Sequence, residues 1–335
     1  MKSIILLLAY FILFSSSSIA QNSFPSYYEQ NKFNLASPSV LKFGLYGYDN
    51  PALLSLQPSA DLFFAWSDRT GSWNDFNNWG LFFAAPSFGF GVVNNKESNG
   101  TVTDFKISLG IGGDSFGIGT GIGWSSGDTD IFNRSTLFTL GTYFRPVKYL
   151  SVGLVGYIPT SGLGEGAVDV GIRPFGNEII TIFGDYVIKK DKNPNDVEWS
   201  AGLILEAIDG LRITGRYFDT DIFNLGIALS FGNAGITMKT NFAKDGNQAF
   251  NTYGIRVGAY DRQPFSAFSK KSEYVKMKLI GPLKYQRFKF FDKANTLIEM
   301  IKLIEAAKND ESVSGIVINT SGMRVNREMI WEIRE

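Results

Sequence analysis

The chain has 335 residues, contains neither cysteine nor histidine, and balances 32 basic against 32 acidic side chains. Without those two residue types it cannot form disulfides, thiolate or imidazole zinc sites, cysteine nucleophiles or histidine general bases. The even charge balance does not favour nucleic acid as a partner, and we expect neither a cofactor nor a metal ion. The 36 glycines, 29 phenylalanines and 14 tyrosines favour many half-exposed strands over a large helical core.

The first twenty residues have the composition of a secretory signal peptide. Lys2 supplies a basic start, an apolar run extends from Ile4 to Phe14, and Ser18-Ile19-Ala20 is a small-x-small cleavage site. The apolar run is shorter than the roughly 20 residues that a membrane-spanning helix needs. We therefore predict a signal peptide over residues 1–20 and an exported mature chain, with an N-terminal anchor helix as the alternative.

Between residues 61 and 262 the side chains alternate with a period of two, which is the pattern of β-strands. In Thr103–Ile111 and Phe223–Phe231, one face is mainly apolar, and the other consists of glycine, serine, alanine, asparagine or a charged residue. After an N-terminal segment over residues 21–60, we predict fourteen strands. They begin near residues 62, 79, 87, 101, 116, 137, 150, 166, 179, 197, 211, 223, 235 and 250.

The second face of these strands is small rather than merely polar, which suits a barrel lumen better than a water-facing sheet surface. The connections also alternate in length, as they do in bacterial outer-membrane barrels. We predict short turns near 85–87, 112–115, 146–149, 175–178, 207–210 and 232–234. They alternate with longer connections near 68–78, 95–100, 125–136, 159–165, 189–196 and 243–249, with a brief exception at 218–222. We predict a mainly β fold, a transmembrane antiparallel barrel of about fourteen strands over residues 61–262 that contacts outer-membrane lipid. A soluble all-β domain is the alternative.

An even number of strands places both ends of the barrel on the side of the short turns. In outer-membrane barrels that side is the periplasm. We therefore expect the barrel in the outer membrane and everything after residue 262 in the periplasm.

Charged residues on the small face of the strands are candidates for the barrel lumen. They are Asp104, Lys106, Asp169, Arg173, Arg212, Arg216, Lys239 and Arg256. Such side chains either pair with one another inside a narrow barrel, or tune a pore or hold a plug. Aromatic residues near strand ends predict interfacial girdles, with ordinary packing as the alternative. These are Trp66, Trp79, Trp124, Tyr143, Tyr157, Tyr186, Trp199, Tyr217 and Tyr253.

The segment before the first strand contains Ala36-Ser37-Pro38-Ser39, followed by the run Gly44–Leu54 with Asn50-Pro51-Ala52 inside it. This stretch is similar to the N-terminal segment of fatty-acid-transporter-like and PorV-like outer-membrane barrels, in which an Asn-Pro-Ala stretch precedes the first strand. The resemblance implies an outer-membrane barrel. Read from the residues alone, the same stretch is a turn followed by a capped helical start.

The period changes after a linker that we place at residues 263–273. We predict a strand over 274–280, stopped by Gly281-Pro282, a helix over about 293–308 capped by Asp292, a short apolar strand over 313–319, and a second helix from Asn326. A helix followed by a buried strand is half of a β-α-β unit, so residues 274–335 are predicted to start an α/β domain.

Four motifs in this region resemble the opening of the signal peptide peptidase A family: Leu279–Leu283, Ile304–Asp310, Val313–Asn319 and Ser321-Gly322-Met323. The resemblance implies a crotonase-like or ClpP-like fold, a peptide or protein substrate, and an oligomer formed through the peptidase domain. It also implies a Ser–Lys dyad, whose positions lie beyond this sequence, so no residue here is assigned to catalysis. Gly322 and Met323 match the oxyanion loop of the family, with a simple turn as the alternative.

Two functions follow. In the first, the chain is the N-terminal part of an exported, outer-membrane-associated Ser–Lys peptidase whose α/β domain continues past residue 335. In the second, it is a transport or secretion-associated barrel with a non-catalytic periplasmic appendage. A purely structural membrane anchor is a third possibility.

Because the dyad of the resembled family lies outside this sequence, we expect purified residues 21–335 to leave casein intact. The measurement is release of acid-soluble peptide over hours, beside a serine peptidase as positive control. Turnover that survives repurification would overturn this expectation.

Overall fold

The computed structural model describes residues 23–41, 44–69, 72–189, 197–258, 264, 273–279, 281–285, 295–308, 310, 313–325, 328–329 and 331. These residues fall into two compact units, one within Met1–Pro264 and the other within Phe265–Glu335. The predicted signal peptide over residues 1–20 and most of the predicted linker lie outside the described residues. No helix in the described ranges is long and apolar enough to cross a membrane.

The first unit is a closed antiparallel barrel in which each strand pairs with its sequence neighbours and β1 also pairs with β14. Its fourteen strands begin within two residues of the predicted positions, which confirms the predicted strand order. They are β1 Asp61–Ser67, β2 Asn78–Ala85, β3 Phe88–Glu97, β4 Gly100–Gly113, β5 Phe116–Gly127, β6 Leu137–Val147, β7 Leu150–Pro159, β8 Glu165–Ile172, β9 Ile180–Lys189, β10 Glu198–Ile208, β11 Leu211–Phe218, β12 Phe223–Ser230, β13 Ala234–Phe242 and β14 Gln248–Gly258. The closed barrel is the arrangement predicted for residues 61–262.

The apolar faces of the strands point outward and the small or charged faces point inward. On β4, Asp104, Lys106 and Ser108 are buried, whereas Leu109 and Ile111 are 53% and 65% exposed. The same alternation appears on strands around the barrel, with exposed outward residues such as Leu62, Phe83, Ile118, Leu140, Leu154, Ile182, Leu203, Ile213, Leu225, Ile236 and Ile255. Large apolar side chains exposed around a closed barrel form the surface that lipid covers in membrane-spanning barrels.

Both ends of the barrel lie at one rim, because Asp61 at the start of β1 pairs with Gly258 at the end of β14. This rim also carries the tight turns at 86–87, 114–115, 148–149 and 209–210. The connection at 173–179 is longer than the short turn predicted there. We call this end the turn rim and the opposite end the loop rim.

One connection predicted to be long is short. Residues 95–100 were expected to form a loop, but β3 and β4 continue until Glu97 pairs with Gly100, so only residues 98–99 connect them. The polar run Asn94–Glu97 suggested a loop. It belongs instead to the strand ends at the loop rim, where polar side chains cost little outside the apolar band.

The N-terminal segment lies inside the barrel. It forms a helix, α1, at Tyr27–Gln30 and 3-10 helices at Pro38–Val40 and Pro51–Leu56. Tyr27, Ala36, Leu45 and Leu53 are almost fully buried, and the segment packs against the inward faces of strands of the barrel wall. We call residues 23–57 the plug.

The second unit contains β15 Glu273–Lys278, β16 Gly281–Lys284, β17 Asn295–Thr296, α2 Leu297–Lys308, β18 Val313–Asn319 and β19 Met323–Arg324. β15 and β18 are parallel, and apolar residues of these elements, among them Met277, Leu283 and Met300, form a core. The unit therefore has the predicted β-α-β order. The strand predicted to be buried is not: in the described residues β18 pairs with β15 in a two-stranded sheet, and its Val317 is 49% exposed. No crotonase-like or ClpP-like domain is shown by the described residues.

Two boundaries in this unit differ from the prediction. The strand predicted over 274–280 ends at Lys278, and Gly281, which was predicted to stop it, begins a separate short strand. The helix begins at Leu297, because residues 295–296 pair as β17. Its first turn is capped by Thr296, whose hydroxyl accepts from the backbone N–H of Glu299 at 3.3 Å, and the predicted cap Asp292 lies outside the described residues.

The outward apolar face leads to a stability prediction. Ile227 lies in the middle of β12 and is 48% exposed, whereas Ile131 is 51% exposed in the connection between β5 and β6. We expect Ile227→Arg to lower the free energy of unfolding from phospholipid vesicles by about 2–4 kcal/mol, because it places a charge in hydrocarbon. Ile131→Arg is the matched control, with an expected change below about 0.5 kcal/mol.

Urea titration followed by tryptophan fluorescence measures both variants in the same vesicles. Equal, small effects at the two positions would mean that the outward face of β12 meets water.

Candidate functional site: the plugged interior of the barrel

The glycines on the inward face of the wall allow the plug backbone to lie directly against the strands. A Cβ atom at Gly89 would collide with the carbonyl oxygen of Tyr46, and one at Gly110 or Gly119 would collide with the backbone of Pro51. Only glycine permits such an approach without displacing the plug. The small inward face predicted from the sequence is therefore the contact surface for a chain segment, instead of the lining of an open lumen.

The Asn50-Pro51-Ala52 stretch forms the deepest part of this contact. The side-chain oxygen of Asn50 accepts from the backbone N–H of Ala52 at 3.0 Å and caps the 3-10 helix, as the sequence predicted. Its amide nitrogen donates to the carbonyl oxygen of Thr142 on β6 at 3.1 Å. The 3-10 helix packs against β4, β5 and β6. Asn50 thus shapes the plug and also attaches it to the wall.

Asp49 organises the turn before this helix. Its carboxylate accepts hydrogen bonds from the backbone N–H groups of Leu45 at 2.9 Å and Asn50 at 2.8 Å, and from the side chain of Asn34 at 3.0 Å. Burial raises the pKa of Asp49, and these hydrogen bonds oppose the rise. The backbone carbonyl of Asp49 accepts from the hydroxyl of Tyr157 at 3.1 Å. The carboxylate therefore acts as an internal brace for the plug.

Three of the predicted lumen cations hold the plug through its backbone carbonyl groups. Lys106 donates to the carbonyl of Tyr48 at 2.8 Å and also to the side chain of Gln30. Lys239 donates to the carbonyls of Lys32 and, at 3.1 Å, Asn34.

The third cation, Arg173, donates to the carbonyl of Val40 at 3.2 Å. Asp169 completes the set with the opposite polarity, because it accepts from the backbone N–H of Ser39 at 2.7 Å.

The other lumen candidates form ion pairs within the wall. Arg216 pairs with Asp185 at 2.6 Å, Arg212 with Glu206 at 2.8 Å and with Glu178 at 3.3 Å, and Arg256 with Asp61 at 2.8 Å. Asp104 pairs with Arg134 at 3.1 Å, a residue from the connection between β5 and β6. Both roles considered from the sequence therefore occur: some charged residues pair with one another and others hold the plug.

Two residues that the sequence interpretation missed also hold the plug. Arg145 donates to the carbonyls of Ser39 at 2.8 Å and Leu41 at 3.2 Å. Asp185 accepts from the hydroxyls of Ser37 at 2.6 Å and Tyr28 at 2.7 Å. The inward face of β9 also carries the apolar side chains of Phe183 and Val187, which hide the inward position of Asp185 in a hydropathy pattern.

The girdle prediction is wrong for two residues. Tyr143 and Tyr157 are buried inside the barrel, where their hydroxyls bond to the carbonyls of Gly113 and Asp49. Both residues occupy positions of their strands that alternate with the outward-facing ones, so their side chains point inward. The presence of an aromatic side chain near a strand end does not distinguish the two faces. Of the others, Trp124, Tyr186, Trp199 and Tyr217 are outward and exposed.

A cavity of about 430 Å³ lies between the plug and the wall at the loop rim. Four cationic residues line it: Lys32 from the plug, Arg69 from the connection after β1, Arg216 and Lys239. Glu198 and Asp219 are the acidic residues of the lining. Burial and the nearby positive charge of Arg69 lower the pKa of Lys32 to about 8. We call this space the mouth cavity.

The proposed oxyanion position lies in a turn of the second unit. Gly322 has a φ of +89°, the N–H of Met323 donates to the carbonyl of Thr320 at 3.1 Å, and Gly322 accepts from the N–H of Gly281 at 3.0 Å. An oxyanion role would require the Met323 N–H to leave this turn. That role stays a prediction.

Comparisons with known proteins give a fold likeness and no family. No protein-family model and no curated protein matches the sequence. Among solved structures, the chain is similar to a mutant of the Rhodopseudomonas blastica porin, at 7% identity and a TM-score of 0.36, over 59% of this chain and 97% of the porin. It is also similar to the Acinetobacter baumannii outer membrane protein Omp33, at 7% identity and a TM-score of 0.40, over 62% of this chain and 100% of Omp33. Values this low assign no function to the chain.

The glycine contacts lead to a prediction with a matched control. Gly119→Val places a side chain where the Pro51 and Ala52 backbone lies, whereas an added Cβ at Gly156 meets no atom within 4 Å. We expect Gly119→Val to lower the free energy of unfolding by about 1–3 kcal/mol through overpacking, and Gly156→Val to leave it unchanged or raise it slightly.

Urea titration in vesicles gives the stability, and limited proteolysis reports whether the plug remains protected. If both variants behave alike, the glycines do not serve to seat the plug.

Proposed function

We propose that this chain is an outer-membrane transport barrel whose passage is closed by its own N-terminal plug. The observation that carries the proposal is that the plug backbone is seated on wall glycines and bonded to inward-facing charged residues of several strands. A barrel that served only as an anchor would need side chains to fill its interior, but not a separate segment bonded across it.

The outward face supports membrane insertion. Apolar side chains are exposed on strands around the closed barrel, and the closed hydrogen-bond ladder leaves no strand edge unpaired. Lipid requires both features, because it offers no hydrogen-bond partner to a backbone and no hydration to a charge. In this orientation the turn rim faces the periplasm, the loop rim faces outward, and the second unit is periplasmic.

The hydrogen bonds that hold the plug favour a transport barrel rather than a barrel whose interior is permanently filled. Many of its attachments are hydrogen bonds from the side chains of Lys106, Arg145, Arg173 and Lys239 to backbone carbonyls. Each such bond is worth about 1.5–3 kcal/mol, far less than the strand ladder that closes the wall. The plug can therefore be released while the barrel stays closed.

A second function is proposed for the second unit: that it begins a signal peptide peptidase A-like domain. The parallel pairing of β15 with β18 across α2 supports an α/β domain, and the proposal of this particular family rests on the sequence motifs alone. The test is to sequence the reading frame around codon 335 and to assay its full product on casein. Absence of turnover by that product, or an immediate stop codon, would leave only the barrel function.

The plug proposal predicts a conductance that depends on plug release. In planar bilayers we expect the wild-type chain to show little steady conductance, and to conduct when urea unfolds the plug but leaves the lipid-embedded wall intact. A disulfide from Val40→Cys with Gly171→Cys should keep the barrel closed under the same urea, until a reductant is added. An ideal Cβ at Gly171 lies 3.4 Å from the Cβ of Val40, close to the roughly 3.5–4.5 Å found in disulfides.

The Val40→Cys single variant is the matched control and should conduct in urea as the wild type does. Because the chain has no native cysteine, no other disulfide can form within it. A crosslinked variant that conducts like the wild type, or a wild type that conducts steadily without urea, would contradict the proposal.

A further inference from the structure

The mouth cavity has a buried floor and an exposed edge. Asn31, Asn224, Lys239 and Thr252 are buried around it, whereas Thr220 and Ala249 on its lining are exposed. The residues that line it come from the plug, from the loop-rim halves of β1 and β10 to β14, and from the connections at that rim. A solute arriving at the loop rim can therefore reach it without moving the plug.

The lining carries more positive than negative residues, with four cationic side chains against Glu198 and Asp219. Arg216 is paired with Asp185, and Glu198 is paired with Lys189. Within the described part of the chain, Lys32, Arg69 and Lys239 form no ion pair. Lys32 bonds to the side chain of Asn95, Lys239 bonds to backbone carbonyls, and Arg69 stacks on Phe250 at 4.5 Å. On the lining, Asp219 is the acidic group that remains against these three cations. Glu29 lies outside the lining, opposes the lowering by burial of the pKa values of Lys32 and Arg69, and so offsets part of their charge.

A neutral polar group on the floor also points to a ligand. Asn224 is only 7% exposed, and among the described residues no donor reaches its side-chain oxygen. A buried acceptor without a donor is costly, and a ligand hydroxyl would satisfy it. Phe218, Phe242 and Phe250 add apolar surface to the same lining.

We propose that the mouth cavity binds a small hydroxylated organic anion, of the chemistry of a sugar phosphate or a sugar acid. Its anionic group would lie among Lys32, Arg69 and Lys239, and a hydroxyl would donate to Asn224. The inference rests on the proposed function, since it names a solute class for the same barrel. Binding is measured without transport, so failure of one does not imply failure of the other.

The test is isothermal titration of the refolded full chain in a zwitterionic detergent. The probes are glucose 6-phosphate, glucose, inorganic phosphate and a phosphatidylglycerol micelle. We expect glucose 6-phosphate to bind, glucose not to bind, inorganic phosphate to bind more weakly because it lacks the hydroxyl contact, and added salt to weaken binding.

Arg69→Gln is the main variant, because Arg69 lies in a connection outside the strands and stacks on Phe250, so its loss should not disturb the fold. We expect at least a tenfold loss of affinity for glucose 6-phosphate. Asn224→Leu should lower the affinity for glucose 6-phosphate and not that for inorganic phosphate. Lys244→Gln is the control: Lys244 is an exposed loop cation paired with Asp221 at 2.6 Å, does not line the cavity, and should leave the affinity unchanged.

Heat-modifiable migration on gels confirms that each variant is folded. Three results would overturn the proposal: equal affinity for glucose and glucose 6-phosphate, no anion binding at millimolar concentration, or binding of phosphatidylglycerol alone. The last result would assign the cations to a lipid headgroup.

Discussion

Lipid offers a polypeptide backbone no hydrogen bonds, so a sheet that crosses a membrane has to close on itself. The pairing of β1 with β14 meets that requirement and fixes the parity of every strand, because one face must meet hydrocarbon along the whole circumference. Once the apolar residues of a strand face outward, the residues that alternate with them must face inward. The residues that line the interior of this barrel are therefore fixed by the requirement on the outward face.

The inward face is small because a chain segment occupies the interior. Glycines at positions such as 89, 110 and 119 would weaken an ordinary strand, since they give up side-chain packing and backbone entropy. Here the loss is offset by contact with the plug backbone and by hydrogen bonds from Lys106 and Arg145 to its carbonyls. The small inward face and the plug are therefore matched to each other.

Much of the barrel could be predicted from the sequence, and the plug could not. The period of two identified all fourteen strands, because outward parity leaves a regular apolar mark such as Phe105–Ile111. The plug has no such period: its helices are at most six residues long, and its backbone contacts depend on distant glycines. The lumen charges were identified by parity. The plug carbonyls that Lys106 and Arg173 bind, those of Tyr48 and Val40, carry no signal in side-chain identity.

The plug is seated unevenly, and this asymmetry determines where a passage would open. The capped 3-10 helix at Pro51–Leu56 packs on β4 to β6, where wall glycines bring the two backbones together. On the side of β10 to β14, the mouth cavity lies between the plug and the wall. There Lys239 of the wall donates hydrogen bonds to the carbonyls of Lys32 and Asn34 in the plug. The plug also contacts this side through side chains, with Tyr28 against Phe218 and Leu35 against Gly226. The solute proposed for the mouth cavity would lie against this less closely seated part of the plug.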